Sequence, residues 1–166
     1  PRTEPHTMSA PQPSYGDEPG FGPDEPALYN VVYCSRATGS IDDAELGRIV
    51  ASARRRNARQ GITGLLVFGS GIFFQWLEGP RDNVTALMLL LRTDPRHENI
   101  VELSAEDDAG ERLFPDWDME LVTSDHIREV LEDALGSASS AQQKRALKRL
   151  LAHLDSAPVS GLESAA

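Results

Sequence analysis

The seven residues Ile72-Phe73-Phe74-Gln75-Trp76-Leu77-Glu78 constrain the fold more than any other stretch. Successive side chains of a strand point to opposite faces, so Phe73, Gln75 and Leu77 share one face and Phe74, Trp76 and Glu78 the other. Large apolar groups stand on both faces, which places this strand in the middle of a sheet covered on both sides. Gly69-Ser70-Gly71 just before it suits a hairpin, with Thr63–Phe68 as the partner strand.

The other elements arrange themselves around this hairpin. Leu28–Cys34 is short and rich in β-branched and aromatic residues, as a buried strand should be. Asp42 and Glu45 form a capping box with Ile41 just outside, and Leu46, Ile49, Val50 and Ala53 then recur at helical spacing. Pro80 and Asp82 open a second helix with Val84, Leu87, Met88 and Leu91 on one face, and Asp94-Pro95 ends it. Ile100–Ser104 and Leu113–Val122 are expected as two further strands. The acidic turn between them, Glu106–Gly110, lacks calcium-loop spacing and is expected to be solvated.

The resulting βαββαββ order predicts an α+β, ferredoxin-like sheet with two helices on one face. Helical segments at Asp125–Leu135 and Ala141–Leu154 follow, the second with a stripe of Leu147, Leu150, Leu151 and Leu154. They are expected to cover the sheet's second face, and the same stripe would also suit a partner. The layout is therefore a core at 28–123, a helical extension at 124–155 and a flexible tail at 156–166. Residues 1–27 hold seven of the eleven prolines and are expected to form a disordered leader, within which Met8 is a candidate start.

Composition removes several function classes. A formal net charge of −10 opposes nucleic-acid binding, which wants a basic face. A lone cysteine, Cys34, excludes an intramolecular disulfide and a thiolate metal cluster. The four histidines show no ligand spacing. No apolar run approaches the ~20 residues of a membrane span, and no charged-then-apolar leader opens the chain. The expectation is a cytoplasmic protein without metal or membrane partner.

Three polar residues stand where packing alone would place apolar ones. Asn57 lies eleven residues after Leu46, within about 20° of the same helix face, although asparagine also suits a helix end. Gln75 sits between Phe73 and Leu77 and needs hydrogen-bond partners, or its burial costs about 1–3 kcal/mol. Tyr33 shares its parity with Val31 and Ser35, as an ordinary core tyrosine also would. Together they could line one polar spot in an apolar cleft between sheet and helices, the usual seat of a small planar ligand.

At these residues the chain resembles the BLUF family, sensors of blue light using FAD, of the short stand-alone type. Tyr33-Cys34-Ser35-Arg36-Ala37 resembles the family's first-strand motif. Arg56-Asn57-Ala58-Arg59 followed by Gly61-Ile62-Thr63-Gly64-Leu65-Leu66 is similar to its helix-to-strand motif. Phe73-Phe74-Gln75-Trp76-Leu77-Glu78-Gly79-Pro80 matches its most distinctive stretch. Asp94-Pro95-Arg96-His97 and Phe114-Pro115-Asp116-Trp117-Asp118-Met119 complete the set.

The resemblance implies FAD, with FMN or riboflavin as alternatives, its ring flanked by Ile49 and Leu91. It gives Asn57 and Gln75 the polar edge of the flavin. Arg56, Asp94, Arg96 and His97 take the pyrimidine edge, ribityl chain or phosphate side; for Asp94 and His97 a turn-stabilising role is the alternative. It further implies photochemistry: Tyr33 gives an electron and then a proton, Gln75 rotates or tautomerises, and the flavin absorbs slightly to the red. The change would spread to Trp117 and Met119, which share parity on the expected last strand and could equally be plain core. Trp76 and Cys34 face away from the flavin.

Output is expected through a separate, unidentified partner or through self-association, since the chain ends about 45 residues past the core. The C-terminal stripe is the expected carrier, and Leu89 and Leu90 add apolar surface for a homo-oligomer. Two other readings compete: a small flavin-dependent oxidoreductase, which NADH would bleach in the dark, and a light-blind interaction module, which would purify colourless.

Overall fold

A computed structural model describes residues 28–108 and 111–155. The elements are β1 (Leu28–Ala37), α1 (Asp43–Gln60), β2 (Thr63–Gly69), β3 (Ile72–Pro80), α2 (Arg81–Thr93), β4 (His97–Asp108), β5 (Glu120–Thr123), α3 (Ile127–Ser137) and α4 (Ala141–Asp155). The leader and tail expected at 1–27 and 156–166 lie outside the described residues.

The five strands form one sheet in the order β4-β1-β3-β2-β5. β3 is its centre and pairs antiparallel with β1 and β2; β4 pairs antiparallel with β1, and β5 runs parallel to β2. The alternation along β3 divides the core in two. Tyr33, Phe73, Leu77 and Met119 pack with Ile49, Ala53, Val84 and Leu91 under α1 and α2. Cys34, Phe74 and Trp76 pack with Ile127, Leu131, Leu147, Leu150 and Leu154 under α3 and α4. The C-terminal stripe is thus spent on the sheet's second face, with Leu150 and Leu154 fully buried, rather than left open to a partner.

α1 begins where its capping box predicts: the Asp42 carboxylate accepts from the Glu45 backbone N–H at 2.7 Å. It ends at Gly61, whose φ of 64° is the left-handed conformation glycine adopts without strain, and whose N–H reaches the Asn57 carbonyl. The Asn57 side chain therefore does no capping. Gly64 serves a different need, because a Cβ there would stand 1.9 Å from the Trp76 carbonyl oxygen.

Three expectations require correction. β4 runs to Asp108, well beyond Ile100–Ser104 on both sides, because β1 pairs with it from His97 to Asp108. The acidic residues at its end are not simply solvated: Asp107 pairs with Arg81 and Glu106 with Arg149. The expected strand Leu113–Val122 shrinks to Glu120–Thr123. Pro115 has no N–H to offer a ladder. The amides of Leu113 and Phe114 are taken by the Glu78 carboxylate, and the chain turns so that Trp117 N–H meets the Phe114 carbonyl at 3.2 Å.

Candidate functional site

β1 and β3 set Tyr33 directly opposite Gln75 on the α1/α2 face. Both are buried, Gln75 at 6 % exposure. The Tyr33 hydroxyl donates to Gln75 Oε1. The other end of the amide, Nε2, donates to Met119 Sδ at 3.1 Å. The amide is thereby aligned between a phenol and a thioether, with one hydrogen bond to each.

A cleft opens between this pair and the two helices. Ile49 of α1 and Leu91 of α2 form its apolar walls, while Tyr33, Leu66, Phe73 and Gln75 form its floor. Arg56, Asp94, Arg96 and His97 close its polar side. His97 is held edge-on to Tyr33, with ring centroids 6.5 Å apart, and tilted against Phe73 at 4.6 Å. Its Nδ1 shares a 2.8 Å hydrogen bond with Ser35 Oγ. A neighbouring groove of about 430 Å³ is bordered by Arg48, Arg55 and Arg96 and shares Ile49 and Ser52 with the cleft.

The charges divide by depth. Burial pushes the Tyr33 phenol well above its ordinary value, partly opposed by the Arg56 guanidinium. Burial also lowers the Arg56 and His97 pKa values, which favours a neutral imidazole. Asp94 is held down at about 2 by the side-chain hydrogen bonds of Arg96, the nearest at 2.7 Å. Asp94 also accepts from the Arg96 backbone N–H, so the turn-stabilising role is met in the same geometry.

Of the residues singled out from sequence, Tyr33, Ile49, Arg56, Gln75, Leu91, Asp94, Arg96 and His97 all border the cleft. Asn57 lies behind it, fully buried, its Nδ2 donating to the Asp118 carbonyl at 3.0 Å. Met119 sits beneath Gln75, fully buried. Trp117 does not join them. It stacks on Phe114, with centroids 4.9 Å apart and planes 8° from parallel, and packs against the α3/α4 side. Outside a strand, residues two apart need not share a face, so the expected common parity fails here.

Sequence reasoning did not assign Ser35, Ser52 or Phe73 to the site. Each carried a signal: Ser35 and Phe73 share the parity of Tyr33 and Gln75, and Ser52 follows Ile49 by one helical turn. Arg54, whose Nε donates to the Met119 carbonyl at 2.9 Å, carried none.

The family model described as BLUF, sensors of blue-light using FAD, matches residues 28–120, more than half of the chain. The chain belongs to the BLUF family. Its β subunit relative among the photoactivated adenylate cyclases of Euglena gracilis is 38 % identical over 101 residues, covering 60 % of this chain and 12 % of that protein. The blue light- and temperature-regulated antirepressor BluF of Escherichia coli K12 is 38 % identical over 94 residues, covering 57 % of this chain and 23 % of the relative. The chain thus spans a small part of these relatives' length. Among solved structures, the dark state of the BLUF protein BlrB has a TM-score of 0.60 at 32 % identity, covering 78 % of this chain and 98 % of that one. BlrP1 of Klebsiella pneumoniae, solved with FMN and cyclic diGMP, has a TM-score of 0.62 at 29 % identity, covering 76 % of this chain and 34 % of that one.

The chain is accordingly a flavin-binding blue-light sensor domain on the α+β fold of its family. The residues lining the cleft and those just behind it fit that cofactor. Asn57 Oδ1 and Arg56 Nε are buried without a hydrogen-bond partner among the described residues. An acceptor and a donor of this kind match the alternating carbonyl and N–H groups of a flavin's pyrimidine edge. No helix among the described residues is long and apolar enough to cross a membrane.

Proposed function

We propose that light is registered by the chain Tyr33–Gln75–Met119 and passed to the C-terminal helices, the domain acting as a cytoplasmic sensor rather than a turnover enzyme. One observation carries this reading: a single amide bridges the buried phenol of Tyr33, which faces the cleft, to a methionine on the sheet's edge segment. Flavin, when bound, supplies blue-light absorption and an excited state that takes up an electron. Tyr33 gives that electron, and its proton leaves along the hydrogen bond to Gln75 Oε1. Burial keeps the phenol protonated in the ground state, so proton loss is tied to electron loss.

With the Tyr33 proton on Oε1, the amide no longer accepts from the phenol and is free to turn about its last side-chain bond. Return of the electron and of that one proton to Tyr33 restores the phenol and leaves Gln75 a neutral amide. The turned amide then presents oxygen where Nε2 stood. A thioether has no proton to donate, so the Gln75–Met119 bond is lost and Met119 moves away.

Arg48, Arg55 and Arg96 around the adjoining groove suit the phosphate of FAD or FMN. Output to an unidentified partner protein is read from the second face. There Phe114 and Trp117 border a groove of about 430 Å³ against Val130 and Ala134 of α3. Leu89 and Leu90, at 60 % and 50 % exposure, offer a surface for self-association. The test is the absorption spectrum of the purified protein before and after blue light. A flavin spectrum that shifts by a few nanometres to the red and recovers in the dark supports the reading; a bound flavin whose spectrum never shifts contradicts it.

A further inference from the structure

Glu78 is a carboxylate buried to 1 % exposure on the α3/α4 face of the central strand, three residues along from Gln75 and pointing the opposite way. Oε1 accepts from the Thr63 hydroxyl at 3.0 Å and the Phe114 N–H at 2.8 Å. Oε2 accepts from Trp76 Nε1 at 3.1 Å and the Leu113 N–H at 2.8 Å. Arg112 braces the same spot, donating to Thr63 Oγ1 at 2.9 Å, the Glu78 carbonyl at 3.2 Å and the Gly61 carbonyl at 2.7 Å. A buried carboxylate costs several kcal/mol unless its lone pairs are met, and here four donors meet them.

Two of those donors are consecutive backbone amides of the segment joining β4 to β5. That segment is held at both ends, by Glu78 at Leu113–Phe114 and by β2 from Glu120 onward. Between the two anchors lie Trp117, whose carbonyl accepts from Gly64 N–H at 2.8 Å, and Met119 beneath Gln75. With both ends fixed, a displacement of Met119 has to be absorbed at residues 115–118, where Trp117 stacks on Phe114 beside α3.

We propose that Glu78 is a positioning residue of the light response: it pins Leu113–Phe114 so that movement of Met119 on the flavin face reaches Trp117 and α3 on the other. This rests on the switch reading above. Without the pin, the same movement relaxes into the loop and α3 is left undisturbed.

The test is Glu78→Gln in the full flavin-loaded chain, read by absorption and by light-minus-dark hydrogen exchange. Glutamine keeps the volume but turns one acceptor oxygen into a donor facing N–H groups, releasing part of the clamp. The variant should keep its flavin and its red shift, because Tyr33 and Gln75 lie on the other face. Its light-induced exchange in Ile127–Ser137 should fall roughly threefold or more relative to wild type. An undiminished α3 response overturns the proposal, as does loss of the red shift with flavin still bound. Should Glu78→Gln fail to fold, Trp76→Phe removes one donor from the clamp and is read by the same criteria. A wild-type protein with no red shift would instead sink the switch reading itself, a separate failure.

Discussion

Gln75 has one amide oxygen and one amide nitrogen, and both are engaged: Oε1 by the Tyr33 hydroxyl and Nε2 by Met119 Sδ. The two ends meet partners of opposite character, so a turn of the amide cannot preserve both bonds. Met119→Leu removes the sulfur at nearly constant volume. It should bind flavin and cost under about 1.5 kcal/mol of stability, while altering the rate of dark recovery followed at the flavin band. The titrating residues at the mouth make a second prediction. Asp94 is held at about 2 against an ordinary 3.8, so its contribution to stability is complete above its unfolded value and lost between about pH 4 and 2. Burial lowers the His97 pKa from 6.5, so as pH falls below that value the unfolded chain takes a proton first and stability drops. Denaturation of Asp94→Asn against wild type should show the lower step removed, and His97→Gln the upper. Tyr33 and Gln75 were legible in the sequence by strand parity and Ile49 and Leu91 by helical spacing, whereas Arg56, Asp94, Arg96 and His97 came only with the resemblance to the BLUF family. The placement of Trp117 was not, because it depends on a turn rather than on a strand.

At the scale of elements, α1 supplies one wall of the cleft and, beside it, two residues with buried unmatched atoms, Arg56 and Asn57. Its ends are set locally, by Asp42 and by Gly61. Asp42→Ala should cost about 1 kcal/mol in denaturant unfolding and leave the flavin absorption maximum in place. β2 has a stricter requirement at Gly64, where the Trp76 carbonyl leaves no room for a Cβ; Gly64→Ala should sharply reduce the yield of folded, yellow protein. The central strand was readable because its two faces are both apolar and its period is two. The segment after β4 was not, because Leu113–Phe114 give their amides to Glu78, which is far away in sequence. No local pattern announces a long-range carboxylate.

At the scale of the whole molecule, one sheet separates the cleft face under α1 and α2 from the face under α3 and α4, and the β4–β5 segment has a residue on each. The ferredoxin-like sheet and both helical layers follow from the βαββαββ pattern and the two-sided β3. That the C-terminal leucine stripe faces inward could not be read from its spacing, since a docking stripe has the same period. Flavin that binds the folded cleft and not the unfolded chain should stabilise the fold. Saturating flavin at a hundredfold excess over Kd should add about 2.7 kcal/mol to unfolding, seen as a rise in Tm over the flavin-free protein. Leu89→Glu with Leu90→Glu should abolish any self-association detected by light scattering while leaving the absorption spectrum unchanged.

The most direct test of the account is the light-minus-dark absorption spectrum of Tyr33→Phe beside wild type. Phenylalanine keeps the ring in the cleft floor and removes the hydroxyl that donates to Gln75. The account predicts that the variant binds flavin and shows no red shift after blue light, while wild type shifts and recovers. A variant that shifts and recovers like wild type would contradict it, because the amide would then turn without the phenol.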